Sequence, residues 1–387
     1  MFWDAVTAGK SGIRRIKNLQ DSDCPCQIAG DIPAEWIAER SNLLPEWLPN
    51  SKNCKFSVLA AFLALEDAGL TPGDVTRKNI AVYMGVSIPD TEIYEEEFNT
   101  FIKNGSADPN SLVSAAPHTP ATIISHILKT YVNVYTVSTA CTSGAVSMSF
   151  AADRILRGEV DFAITGGVEA PLSPLYMKVF SSAGLAPTGY NSAPDKASRP
   201  FDVERESGII SEGAGIVILE EKTKALRRKA KIYASYSGSA LSTAMNPSWM
   251  KVSFYDAMAG ALKDARLNPS DIDYISACAP GHPVIDQVEI EAIKELFGEQ
   301  AYCVPISSIK SLIGNPGAAA GPIQIISAAL SIDNNYIPPT VNLKKPGEGL
   351  DLDFVPNQGR KARVNRVLIN LRGFGGGVSS IIISRPS

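Results

Sequence analysis

Short apolar runs alternate with segments of helical spacing along most of the chain, and this alternation constrains the fold more than any other feature. The predicted strands are residues 80–86, 132–137, 161–165, 215–219, 232–238 and 274–277. The predicted helices are residues 57–68, 254–265 and 288–297, whereas the stretch 89–120, rich in acids, Ser and Pro, reads as an irregular surface excursion. Strands that alternate with helices are typical of layered α/β proteins.

The charge balance and the cysteine content exclude several functional classes. Lys and Arg total 36 against 40 Asp and Glu, a formal charge of −4 on 387 residues, which argues against a strongly basic nucleic-acid binder. No run of about 18 apolar residues and no signal-peptide pattern is present, so we expect no membrane partner and a cytoplasmic setting. The six cysteines lack CxxC spacing, which predicts neither a disulfide framework nor a metal site.

Two segments share a pattern that indicates an internal duplication. Residues 135–141 run from a strand into a helix that opens with small residues at 143–149. Residues 304–310 lead in the same way to a small-residue helix at 317–329. Residue identity between the two segments is weak, so the argument rests on pattern. The predicted halves are residues 1–222 and 223–387.

Cys141 stands between a predicted strand and a predicted helix, a position suited to a nucleophile. Unpaired N–H groups and the positive end of the helix dipole favour the thiolate at such a place. The small residues Thr142, Ser143 and Gly144 allow a substrate to approach the backbone, and the same turn offers an N–H group to an oxyanion. The alternative is a small buried apolar residue, the usual state of a free cysteine.

Residues 137–145 (VSTACTSGA) resemble the active-site segment of the β-ketoacyl-acyl-carrier-protein synthases, the ketosynthases of the condensing-enzyme superfamily. The similarity to the elongating class extends over nearly the whole chain, in order and at matching spacing. Its other segments are 2–13 (FWDAVTAGKSGI), 166–170 (GGVEA), 199–202 (RPFD), 211–220 (SEGAGIVILE), Pro283 with Asp286 and Glu289, Lys310-Ser311 with Gly314, and 373–376 (GFGG).

The resemblance implies a thiolase-like α/β fold, in which two pseudo-duplicated βαβαβ halves form a five-layered arrangement and two chains form a tight homodimer. In that family the cysteine, here Cys141, takes an acyl chain as a thioester from the pantetheine arm of acyl carrier protein. Two histidines then assist the decarboxylation of a malonyl thioester, and the resulting carbanion attacks the acyl-cysteine. The resemblance implies no metal and no organic cofactor.

Both histidine positions of the family carry other residues here. Alignment on the Pro-Asp-Glu set puts Cys278 at the first position, and Asn315 stands at the second, after the Lys-Ser-x-x-Gly motif. Asn315 can still donate a hydrogen bond, but a cysteine is a weak donor, and a lost donor of this kind costs about 10²–10³-fold in rate. We therefore expect decarboxylative condensation to be impaired, unless His282 swings into the site.

The same alignment supplies the other predicted site residues. The predicted catalytic set is Cys141, Cys278, Asn315, Lys310 and Glu289; the predicted oxyanion hole is formed by the backbone N–H groups of Cys141 and Phe374; and the predicted gate contains Arg372, Phe374 and His282. Arg372 departs from the family pattern, which has a phenylalanine there. Lys310 and Glu289 have an alternative as a structural salt bridge. Cys278 has two alternatives, as a second acyl acceptor or as a redox partner of Cys141.

Two functions follow from the resemblance. The first is an atypical 3-oxoacyl-[acyl-carrier-protein] synthase of fatty-acid or polyketide synthesis, which loads acyl chains on Cys141. The second is a non-catalytic subunit, similar to a chain-length factor, in a heterodimer with an active ketosynthase; the retained cysteine argues against it. The chain also opens where the family has its first strand, so we expect either a truncated start or a missing core strand.

Overall fold

The computed structural model describes residues 2–76, 79–130 and 133–386. Its strands in chain order are β1 (Ile13–Arg15), β2 (Ile28–Gly30), β3 (Ile80–Gly85), β4 (Asn133–Val137), β5 (Phe162–Glu169), β6 (Gly213–Glu220), β7 (Ser235–Thr243), β8 (Tyr274–Ser276), β9 (Ile306–Ser307), β10 (Tyr336–Ile337), β11 (Arg360–Lys361), β12 (Arg366–Arg372) and β13 (Gly377–Ser384). Its α-helices are α1 (Phe2–Thr7), α2 (Lys17–Asp21), α3 (Ala34–Ala38), α4 (Lys52–Asp67), α5 (Pro72–Val75), α6 (Thr91–Asn104), α7 (Ser111–Ser114), α8 (Thr119–Ile127), α9 (Ser143–Leu156), α10 (Pro174–Ser182), α11 (Lys222–Arg227), α12 (Met250–Ala265), α13 (Pro283–Phe297), α14 (Lys310–Ile313) and α15 (Ala320–Asn334).

Two main sheets carry the fold, one in each half of the chain. The first has the strand order β4-β3-β5-β6, with β3 parallel to β4 and β5 and with β6 antiparallel to β5. The second has the order β7-β13-β12-β8-β9, with β8 parallel to β9 and β12 and with β13 antiparallel to β12. β3, β4, β5 and β6 therefore correspond to β8, β9, β12 and β13, which is the duplication that the sequence predicted.

Helices cover both faces of each sheet, so that the layers run α–β–α–β–α. α4 and α8 pack on the first sheet, α12 packs on the second with α13 beside it, and α9 and α15 contact each other between the sheets. Glycines permit this close central packing. A Cβ on Gly144 of α9 would lie 2.3 Å from the Ala318 carbonyl oxygen, and one on Gly321 of α15 would lie 2.9 Å from the Cβ of Ala145.

The two sheets differ at one edge. In the second sheet β7 pairs with β13, whereas no strand of the described residues lies beside β6 in the corresponding place. A strand missing from the first half would therefore belong at the edge of its sheet and not at the centre. The predicted boundary after residue 222 stays a prediction; β6 ends at Glu220 and β7 begins at Ser235.

The excursion predicted at residues 89–120 is wrong, because most of this stretch is helical. The Asp90 carboxylate caps α6 by accepting a hydrogen bond from the Ile93 N–H at 3.4 Å. Gly105 ends the helix with a φ of 68°, a conformation that glycine adopts at little cost. The acidic composition of the segment concealed a capped helix with an aromatic and aliphatic surface.

Other element bounds differ more modestly from the expectations. The helix expected at 57–68 begins earlier, at α4, because the Ser51 hydroxyl caps it by accepting from the Cys54 N–H at 3.2 Å. The strand expected at 232–238 lies later in the chain, at β7, and position 132 of the strand expected at 132–137 is outside the described residues. Among the helices described, none is long and apolar enough to cross a membrane.

Candidate active site

The residues singled out in the sequence converge where parallel strands of both sheets end. Cys141 follows β4, Cys278 follows β8, Lys310 follows β9 and Phe374 follows β12. The loops after the carboxyl ends of parallel strands meet at one edge, which is where α/β proteins commonly form their sites. The site thus takes groups from both halves of the duplicated fold.

The turn that carries Cys141 is tightly built. Ala140 has a φ of 55°, an uncommon conformation for a residue with a side chain, and Thr142 is the N-cap residue of α9. The Ser143 hydroxyl accepts a hydrogen bond from the Thr139 N–H at 2.8 Å and donates one to the Ala140 carbonyl. These bonds hold Cys141 at the N-terminus of a 14-residue helix, where the sequence predicted it.

The glycine-rich turn between β12 and β13 lies against the Cys141 turn. A Cβ on Gly373 would lie 3.2 Å from the Cys141 backbone nitrogen and 3.0 Å from the Thr139 carbonyl oxygen, so this approach favours glycine. The Phe374 N–H donates a hydrogen bond to the Cys141 sulfur, while the Phe374 ring is 68% exposed. The two N–H groups of the predicted oxyanion hole therefore both belong to the surroundings of this sulfur.

Burial raises the pKa of the Cys141 thiol above its ordinary value. The Phe374 N–H, the Lys310 ammonium and the Asn315 side chain act in the opposite direction, since each stabilises the thiolate. The negative charge of Glu169 adds to the rise. Desolvation outweighs the neighbouring donors, so the net shift of this pKa is upward, opposite to the direction expected from the helix terminus alone.

Cys278 also follows a strand but lies in a closed environment. Its side chain is 1% exposed, and burial raises the pKa of its thiol to about 11. The Lys310 Nζ lies 3.7 Å from its sulfur, and the backbone N–H of Arg372 donates to the same atom. Both contacts use the sulfur as acceptor. The Cys278 side chain has one hydrogen to donate, that of its S–H group.

Glu289 holds the loop that carries Cys278. Its carboxylate accepts hydrogen bonds from the N–H groups of Cys278 at 2.9 Å and Ala279 at 2.8 Å, and from the Asn370 side chain at 3.1 Å. Burial raises the pKa of Glu289. Within the described ranges no ion pair joins Glu289 to Lys310, so the salt-bridge alternative is not what the structure contains. The geometry makes Glu289 a positioning residue.

His282 is engaged at the start of α13. Its Nδ1 accepts hydrogen bonds from the N–H groups of Val284 at 3.2 Å and Ile285 at 3.5 Å, which leaves the proton on Nε2. Asp286 accepts from the His282 backbone N–H at 3.2 Å, and burial raises the pKa of this carboxyl group to about 7. Burial, together with nearby guanidinium groups, lowers the pKa of His282. The imidazole therefore acts as a neutral helix cap.

Asn315 and Arg372 each bring a buried polar atom that has no partner among the described residues. The Asn315 side chain forms a hydrogen bond with the Cys141 sulfur, whereas its Oδ1 is buried and unpaired. The Nε of Arg372 is unpaired in the same way. Buried polar groups are nearly always satisfied in folded proteins, so both atoms mark places where a bound molecule can supply a partner.

Glu169 is a site residue that the sequence reasoning missed. It ends β5, is 1% exposed, and accepts hydrogen bonds from the Ser87 hydroxyl and from the N–H groups of Ile88 at 3.1 Å and Ala318 at 3.0 Å. It thereby joins the loop after β3 to the turn before α15, one from each half. Burial raises the pKa of Glu169 to about 7. The GGVEA segment was the available signal.

Comparisons with known proteins identify the class. Residues 1–225 match the family described as Beta-ketoacyl synthase, N-terminal domain, and residues 230–344 match Beta-ketoacyl synthase, C-terminal domain. The chain is 32% identical to the 3-oxoacyl-[acyl-carrier-protein] synthase 2 of Coxiella burnetii, over 99% of this chain and 94% of that protein. It is 33% identical to the tetracenomycin polyketide synthase ketoacyl synthase alpha subunit of Streptomyces glaucescens, over 100% and 93%.

Solved structures share the fold. The first is a chain of a solved complex described as a type II polyketide synthase acyl carrier protein with its ketosynthase bound to the hexaketide. It matches with a TM-score of 0.90 at 30% identity, over 100% of this chain and 95% of that one. The ishigamide ketosynthase/chain length factor gives a TM-score of 0.91 at 28% identity, over 100% and 94%. The fold and the site thus define a thiolase-like condensing enzyme of the acyltransferase type. The chain belongs to the beta-ketoacyl synthase family.

Proposed function

We propose that this chain is an atypical 3-oxoacyl-[acyl-carrier-protein] synthase of fatty-acid or polyketide synthesis, which takes an acyl chain from acyl carrier protein onto Cys141. The observation that carries the proposal is the set of groups around the Cys141 sulfur: the Phe374 N–H, the Asn315 side chain and the Lys310 ammonium. A cysteine nucleophile needs neighbours that stabilise its thiolate and N–H groups that stabilise the oxyanion. Cys141 has both.

In the loading step, the Cys141 sulfur attacks the carbonyl carbon of the acyl-pantetheine thioester. The carbonyl oxygen gains negative charge, which the N–H groups of Cys141 and Phe374 stabilise. The bond from the carbonyl carbon to the pantetheine sulfur then breaks, and the proton lost by Cys141 ends on the released pantetheine thiol. The positive charge of Lys310 favours the attacking thiolate.

Decarboxylative condensation is the step that we propose to be impaired. It develops negative charge on the thioester oxygen of a malonyl group, and strong donors must meet that charge. Asn315 offers an amide donor, but Cys278 stays a thiol at neutral pH, since its pKa is about 11, and its sulfur already accepts from Lys310. His282 is held as the cap of α13.

Intact-protein mass spectrometry tests the loading step. The protein is incubated with acyl carrier protein that bears short, medium or long acyl chains, and the mass of the product is measured. We expect one acyl group on the parent protein and none on Cys141→Ala, while Cys303→Ala, which removes an exposed thiol, keeps the adduct. No adduct with any chain, or an adduct that persists in Cys141→Ala, overturns the proposal.

We further propose acyl carrier protein as the substrate partner and a second copy of this chain as the structural partner. The structural match to a ketosynthase in complex with an acyl carrier protein supports the first.

Exposed apolar side chains support a second copy of the chain as structural partner, because α6 and α7 contact each other and expose Phe98, Phe101, Ile102, Leu112 and Val113. Among the described residues β4 is also an edge strand of its sheet, and an edge strand can pair with another chain. Light scattering should give the mass of a dimer, and Phe98→Glu should shift it toward the monomer.

A second candidate function is the non-catalytic subunit of a heterodimer. Two observations favour it: a buried thiol at the first histidine position, and the structural match to the ishigamide ketosynthase/chain length factor. The retained Cys141 argues against it. Co-purification with an active ketosynthase as a one-to-one complex, without acylation of Cys141, would favour this candidate over the first.

A further inference from the structure

Arg372 brings a guanidinium group to the edge of the site from β12. Ile369 of β12 is paired with Ser276 of β8, so Arg372 lies level with the loop that follows β8. Side chains alternate between the two faces of a strand, which puts Arg372 on the same face as Asn370. The Asn370 side chain bonds Glu289 at 3.1 Å. Arg372 therefore belongs to the face that carries the polar groups of the site.

The Nε of the half-buried Arg372 lacks a hydrogen-bond partner within the described part of the chain. Its Nε is buried and unpaired, and its charge acts on Cys278 and His282, neither of which carries a negative charge at neutral pH. The nearby carboxylates of Glu289 and Asp286 already accept hydrogen bonds from backbone N–H groups. Lys310 is a buried cation of the same site, and its charge acts on Glu289.

The Arg372 Nε is thus a donor at the site that no acceptor among the described residues satisfies. A buried polar atom without a partner is unfavourable, and a bound group that accepts a hydrogen bond from the Arg372 Nε removes that cost. A guanidinium is also the side chain best matched to a carboxylate, since its N–H groups form two parallel hydrogen bonds with the two oxygens. A phenylalanine at this position, as in the family pattern, has neither a positive charge nor N–H groups to bind a carboxylate.

We propose that Arg372 is a carboxylate receptor and that it selects acyl thioesters whose acyl group ends in a carboxylate, the half-thioesters of dicarboxylic acids. The inference rests on the proposed loading of Cys141 and specifies its substrate class. The transfer is the thioester exchange described above, and neither the carboxylate nor the guanidinium changes its protonation. Arg372 acts by binding: it favours the carboxylated acyl group over an alkyl group, which would leave the Arg372 Nε without an acceptor.

The test compares succinyl-pantetheine with butyryl-pantetheine, which have acyl chains of equal length and differ in the carboxylate. The rate of Cys141 acylation is followed by intact-protein mass spectrometry. We expect the parent protein to react about 10- to 100-fold faster with the succinyl thioester, the range for a hydrogen bond to a charged group. Arg372→Gln should lose the preference, so that its ratio of succinyl to butyryl rates falls to about 1, and Arg372→Lys, which keeps the charge but not the two parallel N–H groups, should retain part of it. Arg363→Gln, at an exposed position, is the matched control and should retain all of it.

Each outcome decides between the two proposals. If butyryl is transferred without a succinyl preference, or if Arg372→Gln keeps the preference, the receptor assignment is wrong while the loading of Cys141 stands. If neither thioester is transferred, the loading proposal is decided by the experiment with acyl carrier protein described above, and the receptor is tested by binding of the non-transferable amide analogues of the two compounds. A thermal shift with the succinyl amide alone, absent in Arg372→Gln, supports the receptor; equal shifts with both amides overturn it.

Discussion

Cys141 and Cys278 each follow a parallel strand, one in each half of the duplicated fold, yet their surroundings give the two thiols different chemistry. Around Cys141 the groups of the site act on the sulfur, through the Phe374 N–H and the Asn315 side chain. At Cys278 the shortest hydrogen bond is made by the backbone and not by the sulfur, because the Cys278 N–H donates to Glu289 at 2.9 Å. The duplication gives the two cysteines similar positions, and the residues after each strand determine which sulfur receives hydrogen bonds from the Asn315 side chain and from the glycine-rich turn.

The difference begins with the residues that come next in the chain. Cys141 is followed after one residue by α9, whose N-terminus faces the thiol. Cys278 is followed by a loop, and α13 begins only at Pro283. The carboxylates of α13 turn back onto this loop and satisfy its N–H groups. The result is a buried loop at Cys278, the position where the resemblance implies a histidine.

The largest expected effect comes from making the Cys278 side resemble the family. In Cys278→His with Asn315→His, two imidazoles replace a thiol and an amide near the developing charge of a malonyl thioester. We expect malonyl decarboxylation to rise by about 10²–10³-fold, the value of one good donor at an oxyanion. The release of acetyl-pantetheine from malonyl-pantetheine, measured by liquid chromatography with mass spectrometry, gives the rate.

Asn315→His alone is the control for this double change and should raise the rate much less, because Asn315 is already a donor. A double variant that folds normally but decarboxylates no faster than the parent protein would show that the cysteine is not what limits condensation. In that case Arg372, and not Cys278, would be the residue whose replacement is tested next for its effect on the difference between the two cysteine sites.

The second-largest expected effect concerns the loop that carries Cys278 and Ala279, which Glu289 holds in place. Glu289→Leu leaves three buried donors without an acceptor: the N–H groups of Cys278 and Ala279 and the side chain of Asn370. Each buried unsatisfied donor costs about 1–3 kcal/mol, so we expect the free energy of unfolding to fall by about 3 kcal/mol or more. Urea denaturation measures the change. Glu291→Leu, at an exposed position of the same helix, should change the free energy of unfolding by less than about 0.5 kcal/mol; equal losses in the two variants would contradict the role of Glu289.

Much of the fold was predictable, because it depends on local pattern. The run at β3 is apolar throughout and every residue of it is buried, as strands covered on both faces must be. The strand before Cys141 and the helix after it were predicted from the same kind of signal. The segment of α6 was not, since its acidic surface outweighed the capping signals of Asp90 and Gly105.

The chemistry of the site was harder to predict, because it depends on contacts that are distant in sequence. The position of Cys141 was predicted, but the direction of its pKa shift was not, since burial in the folded chain decides it. Glu169 was missed because two of its partners, Ile88 and Ala318, are 81 and 149 residues away. His282 reads as a loop residue in the sequence, and only its hydrogen bonds identify it as a cap.

A smaller effect is expected in the pH dependence of Cys141. Since burial raises the pKa of this thiol, its thiolate fraction at neutral pH is below that of an ordinary cysteine, whose pKa is about 8.5. Alkylation by iodoacetamide should therefore increase about tenfold for each pH unit from pH ~7 to ~8.5, without a plateau. Peptide mapping in a Cys303→Ser background isolates the reaction, and Cys278 should stay unlabelled. Lys310→Met removes a nearby positive charge and should lower the rate at every pH; a plateau near pH ~7 would contradict the raised pKa.

The smallest effect tests His282, which belongs to the Cys278 side. His282→Ala removes the acceptor for the Val284 N–H and should cost about 1 kcal/mol, whereas His282→Asn, a good capping residue, should cost much less.

The pH dependence of this stabilisation by His282 has a defined sign. Because the pKa of His282 is lowered in the folded protein, the unfolded chain binds the proton more tightly, and the contribution of His282 to stability is lost as the pH falls below about 6.5. Buried carboxyl groups with raised pKa values, such as Asp286, act in the opposite direction over the same range. The difference in the free energy of unfolding between the parent protein and His282→Asn, measured from pH ~7.5 to ~5.5, cancels those groups and should shift in favour of the variant as the pH falls. A constant difference would mean that the imidazole stays accessible to protons and that the cap does not hold it neutral.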